Sequence, residues 1–291
     1  MSEVAKNIER QAPLWTEKQQ WIAGIIRSSI ERKEPLQIVL PGFPCKSPDT
    51  VRKVLGALPD LAEEAALRHL KKWSEAINCL HPFGAQLVII SDGRFLADLL
   101  GVPDQVVTEY SQELRRIATS IGANFEWLSL EDLTSETDPA RMRNELMRSF
   151  GSSVLATRSR ILADPATLEL FKQFTRIMEE EALCIQGISF DQRQRIAEDR
   201  ALEVLRRSDA YSKLIARIFP EALRISIHSH PKRLDKLGIN LVPSSLADRT
   251  PWHSVAVVSR NGKVELMDLS SAEYFHLVPI KRDGRVVGFK G

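Results

Sequence analysis

Four short stretches of this 291-residue chain carry side chains able to do polar chemistry. Lys46-Ser47 sits in the run Ile38-Val39-Leu40-Pro41-Gly42-Phe43-Pro44-Cys45-Lys46-Ser47-Pro48. A lysine point charge beside a serine donor suits a phosphate; the plain alternative is a surface turn with a solvated lysine. The glycine pattern of a P-loop is absent, and so is GxGxxG after a strand, which excludes both common nucleotide loops. Ser91-Asp92-Gly93-Arg94 offers an acid for proton transfer or for holding an amine, with an arginine fork for a carboxylate or phosphate. Its alternative is an Asp-Gly turn with a capping aspartate. His228-Ser229-His230-Pro231-Lys232-Arg233 is the densest reactive cluster. On a strand, His228 and His230 would share a face, and with His253 they could form a metal site. No acidic ligand stands at metal spacing beside them, and there is no HExxH or Cys pair, so acid–base use or anion binding ranks above a metal. A polar strand end in solvent remains the alternative. Thr250-Pro251-Trp252-His253 could wall a pocket for an aromatic or sugar ligand, or be a core tryptophan with a satisfied histidine. Arg176, Glu179 and Glu180 read as a solvated helix face with local ion pairs.

Regular elements must carry these groups. Residues 12–33 read as a helix, with Leu14, Ile22, Ile25, Ile26 and Ile30 near one face and Pro35 ending it. A buried strand follows at 36–40. Three prolines and a glycine then force a stiff, irregular turn that carries Lys46 and Ser47 past the strand end. Residues 60–78 form a helix started by Asp60. Leu87-Val88-Ile89-Ile90 is an unbroken aliphatic strand, buried on both faces, that empties into the Asp92 turn. A helix over 104–120 and a strand over 125–130 follow. Strand, helix, strand, helix, strand predicts a parallel sheet with crossover helices, whose strand ends are where ligands bind.

The chain then changes character. Residues 131–220 are charged and helix-forming, with Asp164-Pro165 as a cap plus first-turn proline, and Leu168, Phe171, Phe174 and Met178 along one face. Strands return at Leu223–His228 and Val255–Val258. Asn261-Gly262 then makes a hairpin to 264–267, and strands over 275–280 and 286–289 are joined by Asp283-Gly284. The expected fold is α/β: a Rossmann-like, partly parallel sheet with crossover helices, a helical middle segment and C-terminal β-hairpins. Residues 1–130 are the Rossmann-like half, 131–220 the helical segment, and 221–291 the strands that complete the same domain.

Composition bounds the function. With 43% hydrophobic and 27% charged residues, the chain is too apolar for disorder. A net charge of +2 without a basic tail argues against nucleic acid and for small anionic ligands. No apolar run reaches membrane-span length and no signal peptide is visible. Three scattered cysteines, Cys45, Cys79 and Cys184, form no disulfide framework, which fits a reducing cytoplasm.

Taken in order, these stretches resemble the isonitrile (isocyanide) synthase family, which is grouped with pyoverdine/dityrosine biosynthesis and paerucumarin synthesis proteins. The run Ile38–Pro48 with Leu55-Gly56-Ala57-Leu58-Pro59-Asp60 resembles its opening signature. Val88-Ile89-Ile90-Ser91-Asp92-Gly93-Arg94 with Asp98-Leu99-Leu100-Gly101-Val102 resembles its second. Arg224-Ile225-Ser226-Ile227-His228 and Thr250-Pro251-Trp252-His253-Ser254-Val255-Ala256 resemble its third and fourth. The resemblance runs from about residue 36 to 270, weakest in the middle segment. It implies conversion of an amino acid's amine, tyrosine first and tryptophan next, into an isonitrile. Ribulose 5-phosphate supplies the carbon, no metal or organic cofactor takes part, and a downstream oxygenase acts in the pathway. Under that reading Lys46 and Ser47, with Lys232, hold the sugar phosphate. Asp92 takes or positions the amine, and Arg94 or Arg224 pairs with the carboxylate. His228 and His253 move protons, and Trp252 walls the side-chain pocket.

Overall fold

The structure, a computed structural model, describes residues 3–185, 187–227, 235–245 and 249–291. Helix α1 (Glu3–Arg32) leads into strand β1 (Leu36–Gly42), then α2 (Leu61–Leu80), β2 (Ala85–Ser91), α3 (Gly93–Leu100), α4 (Asp104–Ser120) and β3 (Glu126–Leu128). The helical segment follows as α5 (Leu130–Leu133), α6 (Pro139–Phe150), α7 (Val154–Ala163), α8 (Pro165–Glu181) and α9 (Phe190–Ile218). The chain then adds β4 (Leu223–Ser226), β5 (Leu237–Gly238), β6 (Val255–Val258), β7 (Val264–Met267), α10 (Leu269–Tyr274), β8 (Val278–Arg282) and β9 (Arg285–Lys290).

The first sheet is parallel throughout, in the order β3-β2-β1-β4-β5. That is the doubly wound order, and its direction reverses between β1 and β4, the kind of switch point outside whose carboxyl strand ends open α/β sheets bind ligands. The two-residue period of a strand splits its aliphatic residues between two cores. Ile38, Leu40, Leu87 and Ile89 pack with Leu67 and Leu70 of α2 and Leu114 of α4. Val39, Val88 and Ile90 point the other way, onto Phe95, Leu146, Tyr211 and Leu214. Each such side chain, 0–1% exposed, contributes about 1.5–3 kcal/mol of transfer free energy. Both faces are therefore covered, as the unbroken aliphatic runs predict.

Several element ends follow from single residues. Asp60 caps α2 with a full capping box to Glu63. Asp164 caps α8 and Pro165 occupies its first turn. Other expectations shift. β1 runs through Pro41 to Gly42, pairing with Ile90 and Ser91, so the irregular turn starts later than the first proline. The Asp-Gly step at 92–93 opens α3 rather than a loop. Residues 269–274 are helical, and β8 starts only at Val278.

The last strands build a second sheet, ordered β7-β6-β9-β8. Its two hairpins turn where expected: Gly262 takes φ +79°, and Asp283 and Gly284 both have positive φ, as a two-residue turn requires. This sheet docks on the start of α2, where Arg282 reaches Glu64 at 2.5 Å and Gly288 lies against Leu61. Among the described residues no helix is long and apolar enough to cross a membrane.

Candidate active site

The turn after β1 is the junction of the site. Phe43 is buried and takes φ +56°, a conformation that costs a bulky residue about 1–3 kcal/mol and must be held by its surroundings. Its ring meets Trp127 and Trp252 edge-on, with centroids 6.3 and 5.4 Å away. Its carbonyl accepts a 3.1 Å hydrogen bond from Ser91 Oγ at the end of β2. Gly93 is pressed so closely on this turn that a Cβ there would lie 2.0 Å from the Pro44 carbonyl oxygen. On the other flank the Ser47 amide donates to the Trp252 carbonyl at 2.9 Å. The turn therefore lies between the Asp92 segment and the His253 segment, about 160 residues apart in the chain (roughly half its length).

Lys46 does not face an anion site. Its side chain is fully buried; the ammonium donates to the Pro251 carbonyl at 3.0 Å and forms ion pairs with Asp60 Oδ2 at 3.0 Å and Glu63 Oε2 at 2.9 Å. Burial pulls the ammonium's pKa down, but the Asp60 and Glu63 carboxylates outweigh it and hold it above the ordinary value. Glu63 is completed by the Asp60 amide and the Tyr110 hydroxyl, 3.0 and 3.1 Å away. Burial pushes its carboxyl up, against the pull of Lys46. The expected phosphate role for Lys46 is thus corrected: the charge is spent on tying the turn to the capping box of α2.

Ser47 is also buried, and its hydroxyl donates to Glu181 Oε2 at 2.6 Å. The other carboxylate oxygen of Glu181 meets Lys53 Nζ at 2.7 Å and lies 3.8 Å from His253 Nε2. His253 Nδ1 is 3.0 Å from Thr250 Oγ1, and its side chain is 30% exposed. Lys53 also reaches Glu180 at 3.1 Å. Neither Glu181 nor Lys53 was singled out by sequence. A signal for Glu181 existed: it follows Phe171, Phe174 and Met178 at helical steps, so a carboxylate falls on the apolar face of α8. Glu180, its neighbour, is exposed as expected.

Asp92 is in the opposite condition to Lys46. It stands at the N-terminus of α3 without making a side-chain cap, and its Oδ1 is buried with no hydrogen-bond partner among the described residues. Burial pushes its carboxyl up to about 7, while its own backbone amide pulls the other way. Cys45 lies within reach of both acids: burial first, then the charges of Asp92 and Glu181, push its thiol up to about 12. The hydroxyl of Tyr211, from α9, bonds the Ser91 carbonyl at 2.9 Å and closes this side. A carboxyl near 7 is suited to acid–base work, and it stands beside a turn that meets Glu181 through Ser47.

The remaining selected residues divide. Arg94 is committed to Glu131, to the Asp104 carbonyl and to Thr108 Oγ1, the last at 2.6 Å, which leaves no fork for a substrate carboxylate. Arg224 reaches Ser212 of α9 at 2.7 Å and Asp235 at 3.6 Å, and it is 11% exposed. Trp252 is 3% exposed and packs in the core on Phe43 and against Gly42, so it is no open pocket wall. His228 and Lys232 lie outside the described residues, as does His230, on which the metal alternative depends. Two surface clefts lie elsewhere: one of about 380 Å³ beside Thr134 and Phe150, and one of about 300 Å³ at the opposite edge of the sheet, beside Gln37 and Gln86.

Residues 26–277 match the family model of the pyoverdine/dityrosine biosynthesis proteins. An L-tyrosine isonitrile synthase of Xenorhabdus nematophila is 35% identical, over 83% of this chain and 73% of its own. One of Pseudomonas aeruginosa is 36% identical, over 80% and 72%. The L-tryptophan isonitrile synthase AmbI2 of Fischerella ambigua is 32% identical, over 78% and 69%. The crystal structure of the PvcA protein of Pseudomonas aeruginosa superposes with a TM-score of 0.89 at 32% identity, covering 96% of this chain and 93% of that one.

Proposed function

The chain belongs to the pyoverdine/dityrosine biosynthesis family and is an isonitrile synthase, and on that premise we propose that it converts the α-amine of tyrosine into an isonitrile, with ribulose 5-phosphate as carbon donor. The named relatives act on tyrosine or tryptophan, and tyrosine takes precedence because the two tyrosine enzymes are 35% and 36% identical to this chain, against 32% for the tryptophan enzyme.

One observation carries the chemical reading: Asp92, a half-buried carboxyl at the carboxyl end of a parallel strand, is pushed up to about 7, and its Oδ1 has no hydrogen-bond partner among the described residues. The reaction asks for such a group. The substrate amine must lose a proton before it attacks the C2 carbonyl of the sugar. Water leaves as the imine forms. Further protons must then move while the carbon–carbon bonds at C2 break and phosphate departs. An acid–base residue serves best when its pKa lies near the working pH. Asp92 takes the amine proton, and His253 handles a second transfer from the far side of the β1 turn. With Lys46 closed, the sugar phosphate falls to the segment that follows β4 in sequence, which carries Lys232.

The test is incubation with each of the twenty amino acids and ribulose 5-phosphate labelled with carbon-13 at C2, read by mass spectrometry. The expected result is tyrosine isonitrile carrying one label. An unlabelled isonitrile overturns the donor, and the absence of isonitrile from every amino acid overturns the activity.

A further inference from the structure

Glu181 is the last residue of α8 and is 1% exposed. Two local rules run against an acid there. The position continues an apolar stripe, and a carboxylate at a helix C-terminus opposes the macrodipole. Stability alone does not ask for it either, since a buried ion pair is often replaceable by apolar side chains at no cost. What the carboxylate does is join α8 to two segments distant in sequence: the stretch after β1, through Ser47 at 2.6 Å and Lys53 at 2.7 Å, and the His253 segment at 3.8 Å. The contact with His253 is ion-pair range and too long for a hydrogen bond, a spacing that catalytic pairs close when substrate binds. Thr250 Oγ1 steadies the other ring nitrogen. Among the described residues, the titratable groups on this side include Glu181 against the imidazole, Lys53 and Glu180 beyond it, Lys46, Asp60 and Glu63 gathered at the Pro251 carbonyl, and the neutral thiol of Cys45 near Glu181.

Resting on the isonitrile reading above, we propose that Glu181 is a positioning residue for His253: it pairs with the imidazolium formed when the ring takes a substrate proton, and holds the Ser47 turn in the same frame. The helical middle segment then has a chemical task, which is to deliver this carboxylate. Glu181→Gln removes the charge while its amide oxygen still accepts from Ser47 and Lys53 keeps Glu180, and a denaturation curve run beside each assay gives the folded fraction.

The test titrates His253 in the free protein by nitrogen-15 NMR, with His253→Gln supplying the assignment. In Glu181→Gln the midpoint of His253 falls by about one unit, as expected on losing an opposite charge at this distance. The corresponding limb of the pH–kcat/KM profile moves with it, and kcat drops about 10-fold or more with KM for the sugar little changed. Glu181→Asp restores part of both. An unchanged midpoint overturns the proposal, and so does activity lost only in proportion to folded protein. The titration needs no substrate. If the wild type makes no isonitrile, the activity reading fails on its own while the midpoint still decides the pairing.

Discussion

Lys46 and Asp92 stand past the ends of adjacent strands, the first a fully buried charge and the second a half-buried one. They differ in their accounting of partners. Lys46 is neutralised by two carboxylates of a helix cap and donates to a backbone carbonyl. Asp92 keeps a buried oxygen with no partner among the described residues, next to a helix start that it does not cap. A charge-balanced cluster fixes structure, and its proton is hard to move. An unsatisfied carboxyl stores the free energy that a substrate amine can release. The difference separates scaffold from chemistry at two positions that the sequence presents as equals.

Lys46→Ala gives the largest expected effect and challenges the scaffold half of that distinction. It leaves two buried carboxylates without their counter-charge, and breaking such a cluster costs about 3–5 kcal/mol. Chemical denaturation should show this loss, with the protein that remains folded keeping its KM for ribulose 5-phosphate. A stable Lys46→Ala protein with a KM raised for the sugar alone would return the lysine to the phosphate.

The architecture was readable because it rests on local patterns. The unbroken Leu87–Ile90 run, the Asp60 and Asp164 caps and the two glycine turns each act within a few residues, and each appears as read. The site was readable only as a set of places. Asp92 and His253 flank one turn as their motifs imply, but motif membership does not show which partners a side chain meets. Lys46 finds Pro251 and Arg94 finds Glu131 across 205 and 37 residues, pairings that the packing of the sheet decides. Glu181 was passed over in favour of its neighbours Glu179 and Glu180, although only Glu181 continues the apolar stripe.

Asp92→Asn comes second in size and tests the chemical half. Turnover should fall at least about 100-fold, the usual scale of a lost general acid–base group. Stability should move the other way. The carboxyl's pKa rises from 3.8 unfolded to about 7 folded. Between those values the folded chain holds a proton that the unfolded chain has released, so wild-type stability is lost as pH rises through that window. Asparagine does not titrate. The melting temperature of the variant relative to wild type should therefore be higher at pH 8 than at pH 4, with the gap opening as pH rises between those two values. A difference independent of pH would show that Asp92 is ionised and settled, like a scaffold group.

Arg94→Lys gives the smallest effect and asks on which side of the divide a third strand-end charge belongs. The guanidinium spans Glu131, the Asp104 carbonyl and Thr108, three directions that a planar fork meets at once. An ammonium keeps the charge but not that geometry. It would hold Glu131 and lose about one charge-assisted hydrogen bond, worth roughly 1.5–3 kcal/mol at most. Arg143 limits the damage, because it reaches Asp104 Oδ1 at 3.1 Å and the Arg94 carbonyl at 2.9 Å. The expected result is a modest fall in denaturation midpoint with kcat and KM for the amino acid close to wild type. A KM for the amino acid raised tenfold, at unchanged stability, would mean that the arginine leaves Glu131 to take the substrate carboxylate, and that a group satisfied in the free protein can still belong to the chemistry.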